Sequence, residues 1–234
     1  MLSDVMEDYL KAIYRIQARS GPPVSTSAIS EAVDKTPASV TSMLGTLEDR
    51  GLLVHQKYNG VELTPEGERV ALEVVRHHRL LEAYLAEHLD YSWSEVHAEA
   101  DALEHHISEE FERRVAAALD DPAVDPHGDP IPSPDLAPPE NDETTPLSTH
   151  EAGDRVVVAR VSDRDREDLE YLEDAGITPE TTLVLTDVAP FGMITVRVDG
   201  DGDQSLPESV AKSIRVRNAA DAAAAGRSGT VTDA

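Results

Sequence analysis

Apolar positions along the chain fall into blocks of different period, and each block predicts an element. In "MEDYLKAIYRIQ" Met6, Leu10, Ile13 and Ile16 recur at close to helical spacing, and the pattern stops at the Ser-Gly-Pro-Pro of residues 20–23. "TSAISEAV" predicts a short second helix. "KTPASVTSMLGTLEDRG" predicts a third, with Thr36 as N-cap, Pro37 at the first helical position, a stop at Gly51 and a core face of Val40, Leu44 and Leu47. "LLVHQKYNGVELT" then alternates on either side of Asn59-Gly60, a pair that favours a two-residue hairpin turn. Three helices followed by a hairpin predict a winged helix-turn-helix over residues 1–64.

A second start signal, Thr64-Pro65, opens a long helix through "ERVALEVVRHHRLLEAYLAEHL". Ser92 and Glu95 have the spacing of a capping box for the next helix, which holds "VHAEADALEHHISEEFERR". Residues 65–120 therefore read as a helical domain. Prolines crowd the polar residues that follow, predicting an extended linker over 121–150. From "GDRVVVARV" onward strand patterns dominate, with one helical piece, "REDLEYLEDAG", among them. Residues 151–218 thus predict a small SH3-like β-barrel, and residues 219–234 a disordered tail. The fold class is mainly α with small β parts.

Composition changes the picture in two ways. The chain has no cysteine, which excludes disulfides, zinc ribbons and thiolate nucleophiles. Its formal charge is −26, from 46 acids and 20 bases, and the lysines are only Lys11, Lys35, Lys57 and Lys212. High acid with scarce lysine resembles proteins of salt-loving archaea, whose surface charge answers to concentrated salt rather than to a partner. Acidity therefore does not exclude DNA. The charge is also uneven: residues 1–70 hold 10 acids against 7 bases, residues 121–234 hold 24 against 9. The N-terminal third is the least hostile to a polyanion. With no long apolar run and an acidic N-terminal segment, the chain is expected to be soluble and cytoplasmic.

The candidate chemistry lies in His97, Asp101, Glu104 and His105. At a helical rise of about 1.5 Å per residue, His97 and His105 stand about 12 Å apart along the axis, too far for one ion. Asp101, Glu104 and His105 fall within about one turn and can converge, while His78 and Glu82 share a helix face at i, i+4. On spacing alone, the same residues also read as a solvated acidic face, since carboxylates at helical spacing are common in so acidic a chain. A di-iron enzyme is a poorer reading, because such bundles need Glu-x-x-His on two helices and no Glu stands three residues before His78 or His105.

Six motifs occur in order: "MEDYLKAIY", "TPASVTSMLGTLEDRGLL", "LTPEGE", "RHHRLLEAYL", "VHAEADALEHHISEE" and "DPHGDPIP". With them the chain resembles the diphtheria-toxin-repressor family of metal-dependent iron/manganese transcriptional regulators. Its C-terminal part is similar to the FeoA-like, SH3-like domain of longer members. The resemblance implies a primary metal site at Asp8, Asp101, Glu104 and His105, and an ancillary site at His78, Glu82 and His97, with further ligands at Asp165 and Asp168. It implies DNA contacts from Thr36, Ala38, Ser39, Thr41 and Ser42, beside which Lys35, Arg50 and Lys57 are candidate phosphate partners. It also implies a homodimer of the helical domain that binds a near-palindromic operator when loaded with Mn²⁺ or Fe²⁺ and represses metal-uptake genes, with no membrane partner and no small organic substrate. Two departures matter. Asp8 and Asp101 stand where iron-type members have Met and Cys, which favours hard cations such as Mn²⁺ while still serving Fe²⁺. Lys11 stands where the binuclear manganese type has a ligating Glu, and an ammonium cannot ligate, so two separate mononuclear sites per subunit are expected. The rival reading is a winged-helix regulator of another class whose acidic His cluster is only surface.

Overall fold

A computed structural model describes residues 2–56, 59–139, 144–163, 165–190, 192–198 and 202–219. The chain forms two compact units. One comprises Met1–Leu81, Ala100–Asp121 and Ile131–Pro139, the other Glu82–Glu99, Pro122–Pro130 and Glu140–Ala234.

The first unit opens with α1 (Asp4–Ser20), α2 (Thr26–Ala32), α3 (Pro37–Asp49) and a hairpin of β1 (Leu53–Gln56) and β2 (Gly60–Leu63). The periodic apolar residues close its core: Leu10 and Ile13 of α1, Ile29 of α2, and Val40, Leu44 and Leu47 of α3 are all buried. Thr36 caps α3 as expected, its Oγ1 accepting the Ser39 N–H at 3.3 Å. The hairpin turn differs from the Asn59-Gly60 expectation. Gln56 pairs with Gly60, and the Asn59 N–H donates to the Gln56 carbonyl, so Gly60 begins β2 rather than making the turn. The glycine is needed for another reason. Val24 pairs with Val61 by two backbone hydrogen bonds, and a Cβ on Gly60 would lie 2.0 Å from the Val24 carbonyl oxygen.

Helix α4 (Pro65–His88) starts at Thr64, whose Oγ1 accepts the Gly67 N–H. The helix expected to hold residues 96–114 is two. α5 (Val96–Leu103) ends in a turn at Glu104–His106, and α6 (Glu109–Ala118) restarts at Ser108, whose hydroxyl accepts the Phe111 N–H. Serine at this position offers the backbone a cap in place of a continued helix.

The second unit is built on a six-stranded antiparallel sheet, in the order β3-β8-β4-β5-β6-β7. Its strands are β3 (Thr145–Pro146), β4 (Arg155–Val161), β5 (Thr182–Val188), β6 (Met193–Val198), β7 (Asp203–Pro207) and β8 (Ile214–Asn218), with α7 (Arg166–Asp174) and α8 (Glu208–Ser213) between them. Their buried residues form one core, against which Trp93 packs. The segment read as an extended linker is partly built into the unit. Asp125 and His127 are buried, the Asp125 carboxylate accepts the N–H groups of His127 and Asp129, and the His127 carbonyl accepts the Val161 N–H. This part of the segment is therefore an ordered turn and not only a spacer. Most of the tail expected over 219–234 lies outside the described residues.

Candidate functional site

In the first unit, α1 (Glu7, Asp8), α4 (His78), α5 (Asp101) and the turn after α5 (Glu104, His105) bring four carboxylates and two imidazoles together. Glu104, 1% exposed, is the centre. One of its oxygens lies 2.6 Å from His78 Nδ1 and the other 3.4 Å from His105 Nε2. Asp8 Oδ1 is 3.0 Å from that same His105 Nε2, and Glu7 Oε2 is 2.8 Å from His105 Nδ1. Between Asp101 and Glu104 sits the Lys11 ammonium, 2.9 Å from Asp101 Oδ1, 2.7 and 2.8 Å from the two Glu104 oxygens and 3.3 Å from His78 Nδ1. Two sets of convergent donors result: Asp8 with Glu104 and His105, and His78 with Asp101 and Glu104, each set within 4.8 Å. Asp101 therefore joins His78 and Lys11 rather than His105. The break at the end of α5 explains this, because it turns His105 toward α1 while Asp101 stays on the helix.

The electrostatics follow from crowding. Burial pushes the Asp8 carboxyl above its ordinary value, against the pull of His105, with the Glu104 charge adding to the rise. Burial also opposes ionisation of Asp101 and Glu104, but hydrogen bonds from His78 and the Lys11 charge outweigh it and hold both below the usual carboxylate range. Burial works against a charged His105, yet Glu7, Glu104 and Asp8 together raise it. Two carboxylates and an imidazole, one of those carboxylates poorly compensated, are a donor set that fits a divalent cation of hard to borderline character.

The second unit holds the other candidate ligands. His97 Nδ1 lies 3.1 Å from Glu82 Oε1 and 3.2 Å from Asp163 Oδ2. Glu82 also converges with Asp125 and His127, all three buried. His127 Nε2 donates to the Trp93 carbonyl at 2.9 Å, leaving Nδ1 to face Glu82 Oε2 at 3.8 Å. Burial disfavours a charged His127, but Glu82 and Asp125 overcome this and push its pKa up to about 8. Neither Asp165 nor Asp168 belongs to a set of convergent donors among the described residues. Asp165 caps α7 by accepting the N–H groups of Glu167 and Asp168. Asp163, in the same "SDRDRED" run, is the acid that reaches His97. Sequence reasoning missed Asp163, Asp125, His127 and Glu7. The "DPHGDPIP" motif contains two of them, but its prolines read as linker.

The exposed face of α3 carries the candidate nucleic-acid contacts. Lys35, Thr36, Ala38, Ser39, Thr41, Ser42 and Arg50 are all exposed. Thr36 and Thr41 also bond within the helix, Thr41 Oγ1 donating to the Pro37 carbonyl. Lys57 lies outside the described residues.

Comparison with known proteins agrees with this layout. Family models match in three blocks: the N-terminal DNA-binding domain of iron-dependent repressors over residues 1–61, their metal-binding and dimerisation domain over 64–133, and a FeoA domain over 145–218. The chain is similar to the iron-dependent repressor IdeR of Mycobacterium bovis, 32% identical over 92% of this chain and 97% of that one. The diphtheria toxin repressor of Corynebacterium efficiens is 35% identical over 56% of each chain. A solved manganese-dependent transcriptional repressor in complex with manganese superposes with a TM-score of 0.84 at 36% identity, over 91% of this chain and 99% of the other. With domain models, sequence and fold in agreement, the chain belongs to the iron-dependent repressor family, the metal-dependent, DNA-binding transcriptional repressors of metal homeostasis.

Proposed function

We propose that the chain works as a homodimer that binds a near-palindromic operator when loaded with Mn²⁺ or Fe²⁺ at two separate sites per subunit. The observation that carries this reading is the meeting of Asp8 with Glu104 and His105, since it joins α1 of the DNA-reading domain to the turn after α5. A bound divalent ion would supply the positive charge that holds these three donors together. Asp8 would then fix α1 against the α5 turn, and with α1 the helices α2 and α3 that pack in the same core. Fixing α3 in each subunit sets the separation of the two reading helices, which must match half-sites about one helical turn apart.

Lys11 supports a mononuclear primary centre, because its ammonium already fills the space among His78, Asp101 and Glu104. The second site is centred on Glu82, with His97 and Asp163 on one side and Asp125 and His127 on the other. Asp163 is a better donor there than Asp165 or Asp168, since the Asp165 carboxylate is engaged in capping α7. Oxygen and imidazole donors without any sulfur suit Mn²⁺ and Fe²⁺. A Mn²⁺ titration followed by native mass spectrometry tests the assignment. The dimer should take up ions in two classes, with His105→Ala removing one class and His97→Ala weakening the other. Uptake unchanged in both variants would make the clusters buried ion-pair networks that hold no metal.

A further inference from the structure

Consecutive residues of α1 hold both nitrogens of one imidazole. His105 Nε2 faces Asp8 Oδ1 at 3.0 Å and Glu104 Oε1 at 3.4 Å, whereas Nδ1 faces Glu7 Oε2 at 2.8 Å. A neutral imidazole has one N–H and one lone pair, and the partner of one nitrogen decides which is which. A carboxylate can only accept, so without metal each nitrogen donates to the carboxylate it faces. When an ion takes the place of the Nε2 proton beside Asp8 and Glu104, Glu7 keeps the remaining proton on Nδ1 and the Nε2 lone pair coordinates. An acceptor behind a ligating imidazole also fixes the ring plane and raises the basicity of the other nitrogen. We propose that Glu7 is a positioning residue for the metal centre: it fixes the tautomer and orientation of His105 so that Nε2 is presented for coordination.

This inference rests on reading Asp8, Glu104 and His105 as metal ligands. Glu7 itself is not one of the convergent donors among the described residues, and its place in the first turn of α1 offers a simpler role, favourable interaction with the helix N-terminus. That role does not require a 2.8 Å contact with a ring 98 positions away in the chain, nor a side chain only 23% exposed. The contact also gives α1 a second hold on the site. Asp8 must exchange its hydrogen bond for coordination when an ion binds, but Glu7 keeps its hydrogen bond in both states.

The test uses the full-length chain and follows free Mn²⁺ by electron paramagnetic resonance, comparing wild type with Glu7→Leu, Glu7→Gln, Asp8→Ala and His105→Ala. Glu7→Leu should weaken the affected class of site by about 10- to 100-fold. Glu7→Gln keeps an acceptor oxygen and should recover most of that loss. In ¹⁵N-labelled protein loaded with diamagnetic Zn²⁺, an Nδ1–H signal from His105 should appear in wild type and Glu7→Gln. It should vanish or broaden in Glu7→Leu. Wild-type affinity in Glu7→Leu, or an equal loss in Gln and Leu, would overturn the proposal while Asp8→Ala and His105→Ala remain defective. If those two variants also bind like wild type, the metal-centre reading itself has failed.

Discussion

A lysine only 6% exposed needs counter-charges, and the Lys11 ammonium finds them in Asp101 and Glu104. Removing one partner of such a pair leaves the other buried and uncompensated, at a cost of about 3 kcal/mol. Lys11→Met should therefore lower the thermal midpoint of the metal-free protein, and added Mn²⁺ should restore more stability to the variant than to wild type, because the vacated space among His78, Asp101 and Glu104 becomes available to a cation. Differential scanning calorimetry with and without Mn²⁺ checks this, and equal metal-induced shifts would contradict it. The residue chemistry was legible in part from the chain alone. Spacing separated His97 from His105, and the resemblance supplied Asp8. Periodicity could not reveal that Lys11 turns inward, since a lysine between Leu10 and Ile13 looks like a solvated flank. Nor could spacing identify Asp163, because one acid in a run of four is distinguished only by the strand and turn that present it.

Elements were read well wherever a local signal coincided with a tertiary one. Thr36-Pro37 starts α3, Thr64-Pro65 starts α4, and the Ser92–Glu95 pair forms its hydrogen bonds before α5. Misreadings arose where a residue serves a distant contact. Gly60 looked like half of a turn, but the close approach of the Val24 backbone requires it. Gly60→Ala should destabilise the protein by about 2–3 kcal/mol, visible as a lower urea midpoint. An unchanged midpoint would show that the Val24–Val61 pairing yields easily. The turn after Leu103 was hidden because "LEHHISEE" contains no Gly or Pro, and only the Ser108 cap marks the restart. That turn matters to function, since it swings His105 away from the helix bearing Asp101 and toward α1.

At the scale of the whole molecule, the puzzle is how a chain of formal charge −26 binds DNA. The reading face of α3 is rich in small hydroxyl residues, with Lys35 and Arg50 as its exposed cations. Hydroxyl and backbone contacts release no counterions. Even with Lys57 counted, each subunit neutralises about three phosphates, so the dimer should show a log–log salt slope no steeper than about −5. Binding to a specific site should persist at molar KCl with metal saturating, and a slope near −10 would contradict this. The order of the domains was legible because each carries its own period and motifs, whereas the DNA sequence they read leaves no mark on the chain. The central claim is that metal taken up at Asp8, Glu104 and His105 switches DNA binding. Its most direct test starts from duplexes selected out of a random pool by the Mn²⁺-loaded protein. Fluorescence anisotropy then measures their binding across a Mn²⁺ titration, for wild type and His105→Ala. Wild type should bind tightly only as Mn²⁺ rises, and His105→Ala, still a folded dimer, should stay unbound at concentrations that saturate wild type. Tight binding by metal-free wild type, or a superimposable titration for His105→Ala, would contradict it.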